Sequence, residues 1–367
     1  MIFAKKHHKQ FFILLCLVLL LAACGRPSQS GQAFAADPAG AGKEQATADR
    51  PGQKIIRFAA MGDIMLGNEG ALPPDGGAGM LADVRPHLAG RDVVLGNLEG
   101  PLTDRGKPTK PIIEGRSYAF RTPPSYGKHL KDVGFTVVTL ANNHVNDYGP
   151  EGRAQTVSVL ESLGIKHTGA PGQIAVQEVN GQRVAVIGLA PNRGCQDIND
   201  IPGVVALVKE ANKHPNTLVV VTFHGGAEGT GHMRVPDGLE MYLGEKRGEL
   251  RKLSRAVIDA GADLVIGHGP HVPRGIEVYK NRLIAYSLGN FATGIGINVQ
   301  GATGLAPLLL VDLSPSGELV NLEVVSFRQQ RGMGPKKDAS KEAAKVMASL
   351  SREMKLDEKW VNAILGK

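Results

Sequence analysis

Short apolar runs rich in β-branched residues recur along this chain, and each ends in glycine or polar residues. A run of this kind is typical of a buried strand that stops at a loop. The runs predicted to be strands are 55–60, 92–96, 135–140, 217–223 and 263–267. The stretches between them that are predicted to be helices are 124–133, 151–163, 204–214 and 245–260. Strands that alternate with helices predict an open α/β sheet with both faces covered.

Antiparallel pairs interrupt this alternation. They are predicted for 174–179 with 182–189, for 275–279 with 283–288, and for 305–313 with 319–327. The first pair is joined by Asn180-Gly181, and Asn-Gly between alternating runs is the strongest short signal for a β-hairpin. The fold prediction is therefore α/β with mixed sheets, and the number of strands favours two sheets.

The N-terminus has the pattern of an export signal. Lys5, Lys6 and Lys9 precede an apolar run, 11–21, that is short for a permanent membrane span. The run ends in Leu-Ala-Ala-Cys, which resembles the lipobox of bacterial lipoproteins, so residues 1–23 are predicted to be removed and Cys24 to be lipidated. The alternative is an ordinary signal peptide cleaved after residue 23. Acylation predicts an extracytoplasmic protein that a lipid anchor holds on a bacterial membrane.

Composition fixes the domain organisation and excludes some partners. Residues 24–53 are rich in Ala, Gly, Gln, Ser and Pro without apolar periodicity, and they are predicted to be a flexible tether. The folded domain is predicted at 54–330, followed by a helical tail at 331–367.

The net charge argues against some classes of partner. The formal charge of +7 includes three lysines of the export signal, so a charge of +4 remains, and its basic residues are scattered among acidic ones. The sequence has no stripe of basic residues of the kind that binds nucleic acid, and it has no nucleotide-binding glycine motif.

Polar residues with metal-binding or acid–base chemistry follow five of the predicted strands. They are Asp63, Asn97, Glu99, Asn142, Asn143, His144, His224, Glu228, His268 and His271. Ligand sites of open α/β sheets lie at the carboxyl ends of the strands, so these side chains are predicted to converge. Oxygen and imidazole donors without thiolate suit Mn²⁺, Fe²⁺, Zn²⁺ or Mg²⁺. The sequence therefore predicts a divalent metal site.

The order of these segments resembles one protein family. The segments are Gly-Asp-Ile-Met at 62–65, Gly-Asn-Leu-Glu-Gly-Pro at 96–101, Ala-Asn-Asn-His at 141–144, His-Gly-Gly-Ala-Glu at 224–228, Gly-His-Gly-Pro-His at 267–271 and Ser-Leu-Gly-Asn-Phe at 287–291. Together they look like the motif series of the CapA-type poly-γ-glutamate capsule synthesis proteins, over about residues 55–315. The resemblance implies a calcineurin-like metallophosphoesterase fold, a four-layer αββα sandwich.

The resemblance also implies roles for individual residues. Its metal ligands are Asp63, Asn97 or Glu99, Asn143, His224, His268 and His271. Its catalytic candidates are His144, as donor to a leaving group, and Glu99. It places Asp147, Glu228 and Asn290 next to the ligands, where they would orient them. Capping of the next helix would explain Asp147 equally well, and a strand-ending turn would explain Asn290.

This sequence departs from the phosphoesterase pattern at two places. Met65 stands where a histidine ligand is usual, and the closing Gly-His-x-His is stretched to His268 and His271. One metal site is therefore predicted, and a second stays open.

Two functions follow. The first is a lipid-anchored accessory protein of poly-γ-glutamate capsule synthesis or export, acting beside membrane synthetase and export subunits. The alternative is a metal-dependent hydrolase, of the phosphoesterase kind, that acts on a cell-envelope substrate.

Overall fold

The structure, a computed structural model, describes residues 54–113, 117–293 and 297–367. The predicted export signal, tether and lipidation site at Cys24 lie outside these residues. Within the described ranges, no helix combines the length and apolar character needed to cross a membrane.

The described strands and helices follow in chain order. The strands are β1 (Ile56–Ile64), β2 (Val93–Leu98), β3 (Val137–Thr139), β4 (Lys166–Thr168), β5 (Ala175–Val179), β6 (Gln182–Ala190), β7 (Gln196–Asp197), β8 (Thr217–His224), β9 (Met241–Tyr242), β10 (Glu245–Lys246), β11 (Leu264–His268), β12 (Ile276–Tyr279), β13 (Arg282–Ala285), β14 (Asn290–Ala292), β15 (Leu305–Leu313), β16 (Leu319–Gln330) and β17 (Gly334–Lys337). The helices are α1 (Arg85–Leu88), α2 (Gly127–Val133), α3 (Gly149–Ser162), α4 (Ile201–Ala211), α5 (Leu250–Asp259), α6 (Glu342–Glu353) and α7 (Glu358–Ile364).

Two mixed sheets carry the fold. The first has the order β17-β16-β15-β1-β2-β3-β4, with β14 also paired to β1; β1 to β4 and β14 run parallel, and β15 to β17 are antiparallel. The second has the order β12-β13-β11-β8-β6-β5, with parallel pairing from β6 to β13 and antiparallel edges. Strand polarity therefore brings the carboxyl ends of the central strands of each sheet to a common edge.

Alternating side chains on the central strands divide the core into layers. Phe58 and Val220 lie in the apolar cluster between the two sheets. The next residue along, Ala59, faces a cluster with α1, α2 and α3, whereas Val221 faces a cluster with α4 and α5. Helices thus cover the outer face of each sheet, and the predicted four-layer αββα sandwich is confirmed.

Local sequence signals give most element positions correctly. Both two-residue hairpin turns form, with positive φ at Asn180, Gly181, Lys280 and Asn281, as such turns require. The prediction of one helix over 245–260 is wrong at its start. Residues 245 and 246 pair as β10 with β9, and the helix begins only at Leu250.

The C-terminal segment is built into the body. β17 pairs with β16, and α6 and α7 bury Met347, Val361 and Ile364 in the cluster between the sheets. Burial of each such side chain contributes about 1.5–3 kcal/mol. The segment predicted as a helical tail therefore packs on the same core as the strands that carry the polar residues.

Candidate metal centre

Neighbouring strands place the predicted residues side by side. Asp63 on β1 is in register with Asn97 on β2 and with Asn290 on β14. In the second sheet, His224 at the end of β8 is in register with His268 at the end of β11. The predicted convergence of strand ends is thus present, and both sheets contribute to it.

Close backbone contact holds the Asp63 strand against the segment before β14. The amide of Asp63 donates to the carbonyl of Gly289 at 2.9 Å. A Cβ atom at Gly62 would lie 1.9 Å from that carbonyl oxygen, so only glycine fits there. The sequence predicted this strand over 55–60, but the strand continues through Asp63 to Ile64.

Asp63 is fully buried and lies at the centre of the cluster. Its Oδ2 is 3.0 Å from Nδ1 of His271, its Oδ1 accepts from Asn97 at 2.8 Å, and His268 Nδ1 lies 3.6 Å away. Burial acts to raise the pKa of Asp63. The hydrogen bond and charge of His271, with help from His268 and Asn97, outweigh burial and lower this pKa below its ordinary value. Asp63 is therefore an anion in this site.

An amide network fixes the orientation of Asn97. Its Oδ1 accepts from Asn142 at 2.9 Å, and its Nδ2 lies 3.2 Å from Nδ1 of His224. Asn142 also donates to the carbonyl of Leu98 and accepts from the amide of His144. The sequence reasoning placed both Asn142 and Asn143 among the converging residues but gave a role as metal ligand only to Asn143. Only the direction of the side chain distinguishes the two neighbours.

Several buried polar atoms of the cluster have no hydrogen-bond partner among the described residues. They are both carboxylate oxygens of Glu99, Oδ1 of Asn143, Nε2 of His224, and both ring nitrogens of His268. Buried polar atoms are almost always paired, so a concentration of unpaired ones indicates a ligand. Each of these atoms is an oxygen or imidazole donor of the kind that divalent metal ions accept.

One group of three satisfies the geometric requirement for a metal ion. Asp63, Glu99 and His271 each offer a ligand atom, and these atoms lie within 4.8 Å of one another. His271 Nδ1 also faces Asn290 Oδ1 at 3.0 Å, so Nδ1 faces two oxygen acceptors and carries the hydrogen. Its Nε2 faces Glu99 Oε1 at 3.7 Å. The residues present thus fit a divalent cation, and Asn290 orients the His271 ring by accepting from its Nδ1.

Glu99 and His271 both have raised pKa values in this cluster. Burial and the charge of Asp63 raise the pKa of Glu99 well above its ordinary value. Burial lowers the pKa of His271, but Glu99, Asp63 and Glu228 outweigh it and raise the pKa to about 10. Without a metal ion, the proton of His271 is therefore the positive charge that compensates the carboxylates.

The other two imidazoles stay neutral. Burial and the charge of Arg247 lower the pKa of His224 well below its ordinary value. Burial lowers the pKa of His268 to about 4, against the opposing charge of Asp63. Neutral imidazole is the form that binds metal ions, so His268 is available as a further ligand. His224 Nδ1 accepts from Asn97 Nδ2 here, so binding through His224 Nε2 requires the ring hydrogen to move to Nδ1 and the Asn97 amide to turn.

His144 and Asp147 form a hydrogen-bonded pair beside this cluster. Nδ1 of His144 lies 2.7 Å from Oδ2 of Asp147, and the Lys110 ammonium lies 2.8 Å from Oδ1. Asp147 also accepts from the amide of Phe120 at 2.7 Å. Burial lowers the pKa of His144, against Asp147. Helix capping does not explain Asp147, because Tyr148 occupies the N-cap position of α3.

Glu228 lies at the edge of the cluster. Its Oε2 is 3.9 Å from His271 Nε2, and its Oε1 accepts from Arg247 at 3.0 Å. The sequence reasoning missed Arg247 and Lys110, because neither follows a predicted strand.

Comparison with known proteins places this arrangement in context. A family model described as "Bacterial capsule synthesis protein PGA_cap" matches residues 57–294, the range from β1 to β14 that contains all the residues of the cluster. The PGA biosynthesis protein CapA of Bacillus subtilis (strain 168) is 32% identical over 256 residues, which is 65% of this chain and 63% of that relative. The chain therefore spans less than two thirds of its length. The capsule biosynthesis protein CapA of Bacillus anthracis is 28% identical over 328 residues, covering 83% of this chain and 75% of the relative.

Solved structures of other proteins also align with this chain. A novel phosphatase of Mycoplasma pneumoniae aligns with a TM-score of 0.49 at 13% identity, covering 84% of this chain and 99% of that chain. This similarity is weak, so the assignment of the fold rests on the layers of this chain itself.

Proposed function

The chain belongs to the PGA_cap family of bacterial capsule synthesis proteins, and from that membership we propose that it is an accessory protein of poly-γ-glutamate capsule synthesis with a divalent metal site. The names of the two Bacillus relatives, PGA biosynthesis protein and capsule biosynthesis protein, support the process. Synthetase and export subunits are the proposed partners.

The observation that carries the metal site is the Glu99 carboxylate. Both of its oxygens are buried without a hydrogen-bond partner among the described residues, and one lies within 4.8 Å of ligand atoms on Asp63 and His271. Burying an unpaired carboxylate costs several kcal/mol, and a cation in contact with it removes that cost. Mn²⁺, Fe²⁺, Zn²⁺ and Mg²⁺ all suit the donor set. His224, His268 and Asn143 complete the set of proposed ligands.

Capsule complementation tests whether the site is needed. A strain that lacks the gene is expected to regain its capsule with the wild-type protein and with Glu353→Gln, which alters an exposed carboxylate. We expect no capsule with Asp63→Asn at an equal protein level, because that change removes the central anion of the cluster. Capsule formation by Asp63→Asn at wild-type amounts would show that the protein acts as a scaffold without its site.

The His144 and Asp147 pair favours hydrolase activity as a second candidate function. A bound divalent ion supplies Lewis-acid polarisation of a phosphoryl or carbonyl oxygen and a lowered pKa of water. Asp147 accepts from Nδ1–H of His144 and fixes the ring, so that Nε2 is free to exchange a proton with a reacting group. Lys110 holds the other oxygen of Asp147 in place.

Hydrolysis of an aryl phosphate with added Mn²⁺ tests this candidate. We expect turnover by the wild type and by His167→Gln, a histidine outside the cluster, and loss of turnover in His144→Gln. Equal turnover in His144→Gln, or none in the wild type with any divalent ion, would contradict the hydrolase function.

Anchoring through Cys24 remains part of the proposal. Its support is the lipobox-like sequence at 21–24. Labelling with a radioactive fatty acid and cell fractionation test it: the wild type is expected in the labelled membrane fraction, whereas Cys24→Ala loses the label. Equal labelling of both would refute the anchor.

A further inference from the structure

A buried arginine lies beside the metal centre, and no step described above uses it. The side chain of Arg247 is only 2% exposed. Its Nε donates to the carbonyl of Gly226 at 3.2 Å, and the amide of Gly226 donates to the Arg247 carbonyl at 2.8 Å. These bonds fix the guanidinium against the loop that follows β8. The arginine is therefore held in place by backbone contacts that do not depend on its charge partner.

The partner of Arg247 on the side of the metal centre is Glu228. One Glu228 oxygen accepts from Arg247 at 3.0 Å, and the other lies 3.9 Å from Nε2 of His271. The Glu228 carboxylate thus bridges the guanidinium and the candidate metal ligands. A second carboxylate, Glu245, is 3.3 Å from Arg247 on a side chain that is 54% exposed.

Glu228 differs from the other carboxylates of the cluster in its access to solvent. Its side chain is 20% exposed, whereas Asp63 and Glu99 are fully buried. Glu228 also lies in the loop after β8, between Gly226 and Gly229, and both of these glycines have positive φ. A side chain with an exposed face, next to residues of wide conformational freedom, can turn outward at low cost.

We propose that Arg247 binds an oxyanion group of the ligand beside the metal centre, and that the Glu228 carboxylate occupies this position until the ligand displaces it. The ligand class is a phosphate or a carboxylate. Both carry at least two oxygens that a guanidinium can bind, whereas Glu228 gives Arg247 only one, and arginine is the side chain best suited to bind such groups. Displacement keeps the buried guanidinium paired, because one anion replaces another.

This inference deepens the proposed function and rests on it for the metal ion, but not for the guanidinium. Anion binding is therefore measured with and without Mn²⁺. Calorimetric titration of the full-length protein uses inorganic phosphate in one arm and glutarate in the other, which distinguishes the two oxyanion classes. Metal content is measured on the same samples, so failure of the metal site is recorded separately from failure of anion binding.

Three variants decide the outcome. Glu228→Gln removes the competing charge and is expected to tighten phosphate or glutarate binding about tenfold, the worth of a hydrogen bond between charged groups. Arg247→Lys keeps the positive charge but loses the planar set of N–H donors of the guanidinium, and is expected to weaken anion binding about tenfold. Arg234→Lys, the same change in an exposed pair with Glu353, is expected to bind as the wild type does.

The Glu228→Gln result keeps the proposal falsifiable even if Arg247→Lys fails to fold. Unchanged or weaker binding in Glu228→Gln would overturn it, since Glu228 would then not compete with the ligand. Anion binding that requires Mn²⁺ and is unaffected by Arg247→Lys would also overturn it, because the metal ion alone would then hold the anion.

Discussion

Replacing Glu99 with glutamine is expected to change stability in opposite directions with and without metal. In the metal-free protein, Glu99 is a buried carboxylate with no hydrogen-bond partner and with Asp63 as a neighbouring charge. Its raised pKa means that folding is less favourable once pH rises above the ordinary value of 4.5. Glutamine has nearly the same shape and no charge, so it removes this penalty.

The magnitude follows from the cost of an unpaired buried polar group. That cost is about 1–3 kcal/mol, and more for a charged group. Because the glutamine amide is itself left unpaired, only part of the cost is removed, and we expect Glu99→Gln to stabilise the metal-free protein by about 1–2 kcal/mol. An unfolding entropy of about 2.1 cal/mol/K per residue, over about 310 folded residues, converts this to a rise in Tm of about 1.5–3 °C. In the wild type, metal at about 100 times Kd adds about 2.7 kcal/mol, or about 4 °C.

Thermal melts at pH 8, in chelator and in excess Mn²⁺, measure both effects. We expect Glu99→Gln to melt above the wild type in chelator and below it in Mn²⁺. Glu240→Gln is the matched control, because Glu240 is equally a buried carboxylate but is paired with both terminal nitrogens of Arg274 at 2.8 Å. Glu240→Gln is expected to lower the free energy of unfolding by about 3–5 kcal/mol, whereas the rise in Tm with Mn²⁺ remains.

Two results would refute the reasoning. A lower Tm of Glu99→Gln in chelator would mean that the carboxylate is satisfied in the folded protein. A full Mn²⁺ shift in Glu99→Gln would mean that Glu99 is not a ligand.

Three further predictions concern the same site. Gly62→Ala is expected to lower the free energy of unfolding by at least about 3 kcal/mol and to abolish metal binding, because its Cβ would meet the Gly289 carbonyl oxygen at 1.9 Å. Gly231→Ala, with open space around it, is expected to leave the free energy of unfolding unchanged; denaturant titrations measure both. Because His271 has a pKa of about 10 in the metal-free protein, its protonation adds stability that is complete below about 6.5 and is lost as pH rises towards 10. Chelator melts between pH 6.5 and 10 should therefore slope less in His271→Asn, and an unchanged slope would argue against that pKa. Asp147→Asn is expected to lower Mn²⁺-dependent turnover about 10²-fold at unchanged metal content, which a combined kinetic and elemental measurement checks.

Local patterns were sufficient for most of the fold. Runs of β-branched residues and the Asn180-Gly181 turn are signals within a few residues of one another, and the strands and hairpins that they predict are present. The strand-end rule then brought residues from Asp63 to His271 together without any contact information. These features could be predicted because each depends on local sequence or on the polarity of the strands.

The features that were missed depend on pairings and contacts that the residue pattern does not reveal. Glu245 and Lys246 continue a helical pattern, but they pair with Met241 and Tyr242 across a short turn, and this pairing decides their structure. Arg247 belongs to the site only because the chain returns to the loop that carries Glu228. Neither contact leaves a periodic signal in the sequence.

The direction of single side chains was equally hidden. Asn142 and Asn143 are adjacent and chemically identical, and Asn142 is the one that holds Asn97. Asn143 keeps an unpaired buried oxygen, as a metal ligand would, and its role stays a prediction. Backbone torsion adds to this: His271 has a φ of 59°, a left-handed conformation that the stretched Gly-His-x-x-His spacing does not reveal.

The metal content of the purified full-length protein tests the central claim most directly. After loading with Mn²⁺ and extensive dialysis, elemental analysis is expected to find about one ion per chain in the wild type and in Glu353→Gln. Asp63→Asn and Glu99→Gln are each expected to retain almost none, because both remove a ligand of the group that lies within 4.8 Å. Retention of metal by both site variants, or its absence from the wild type with every divalent ion tried, would contradict the account.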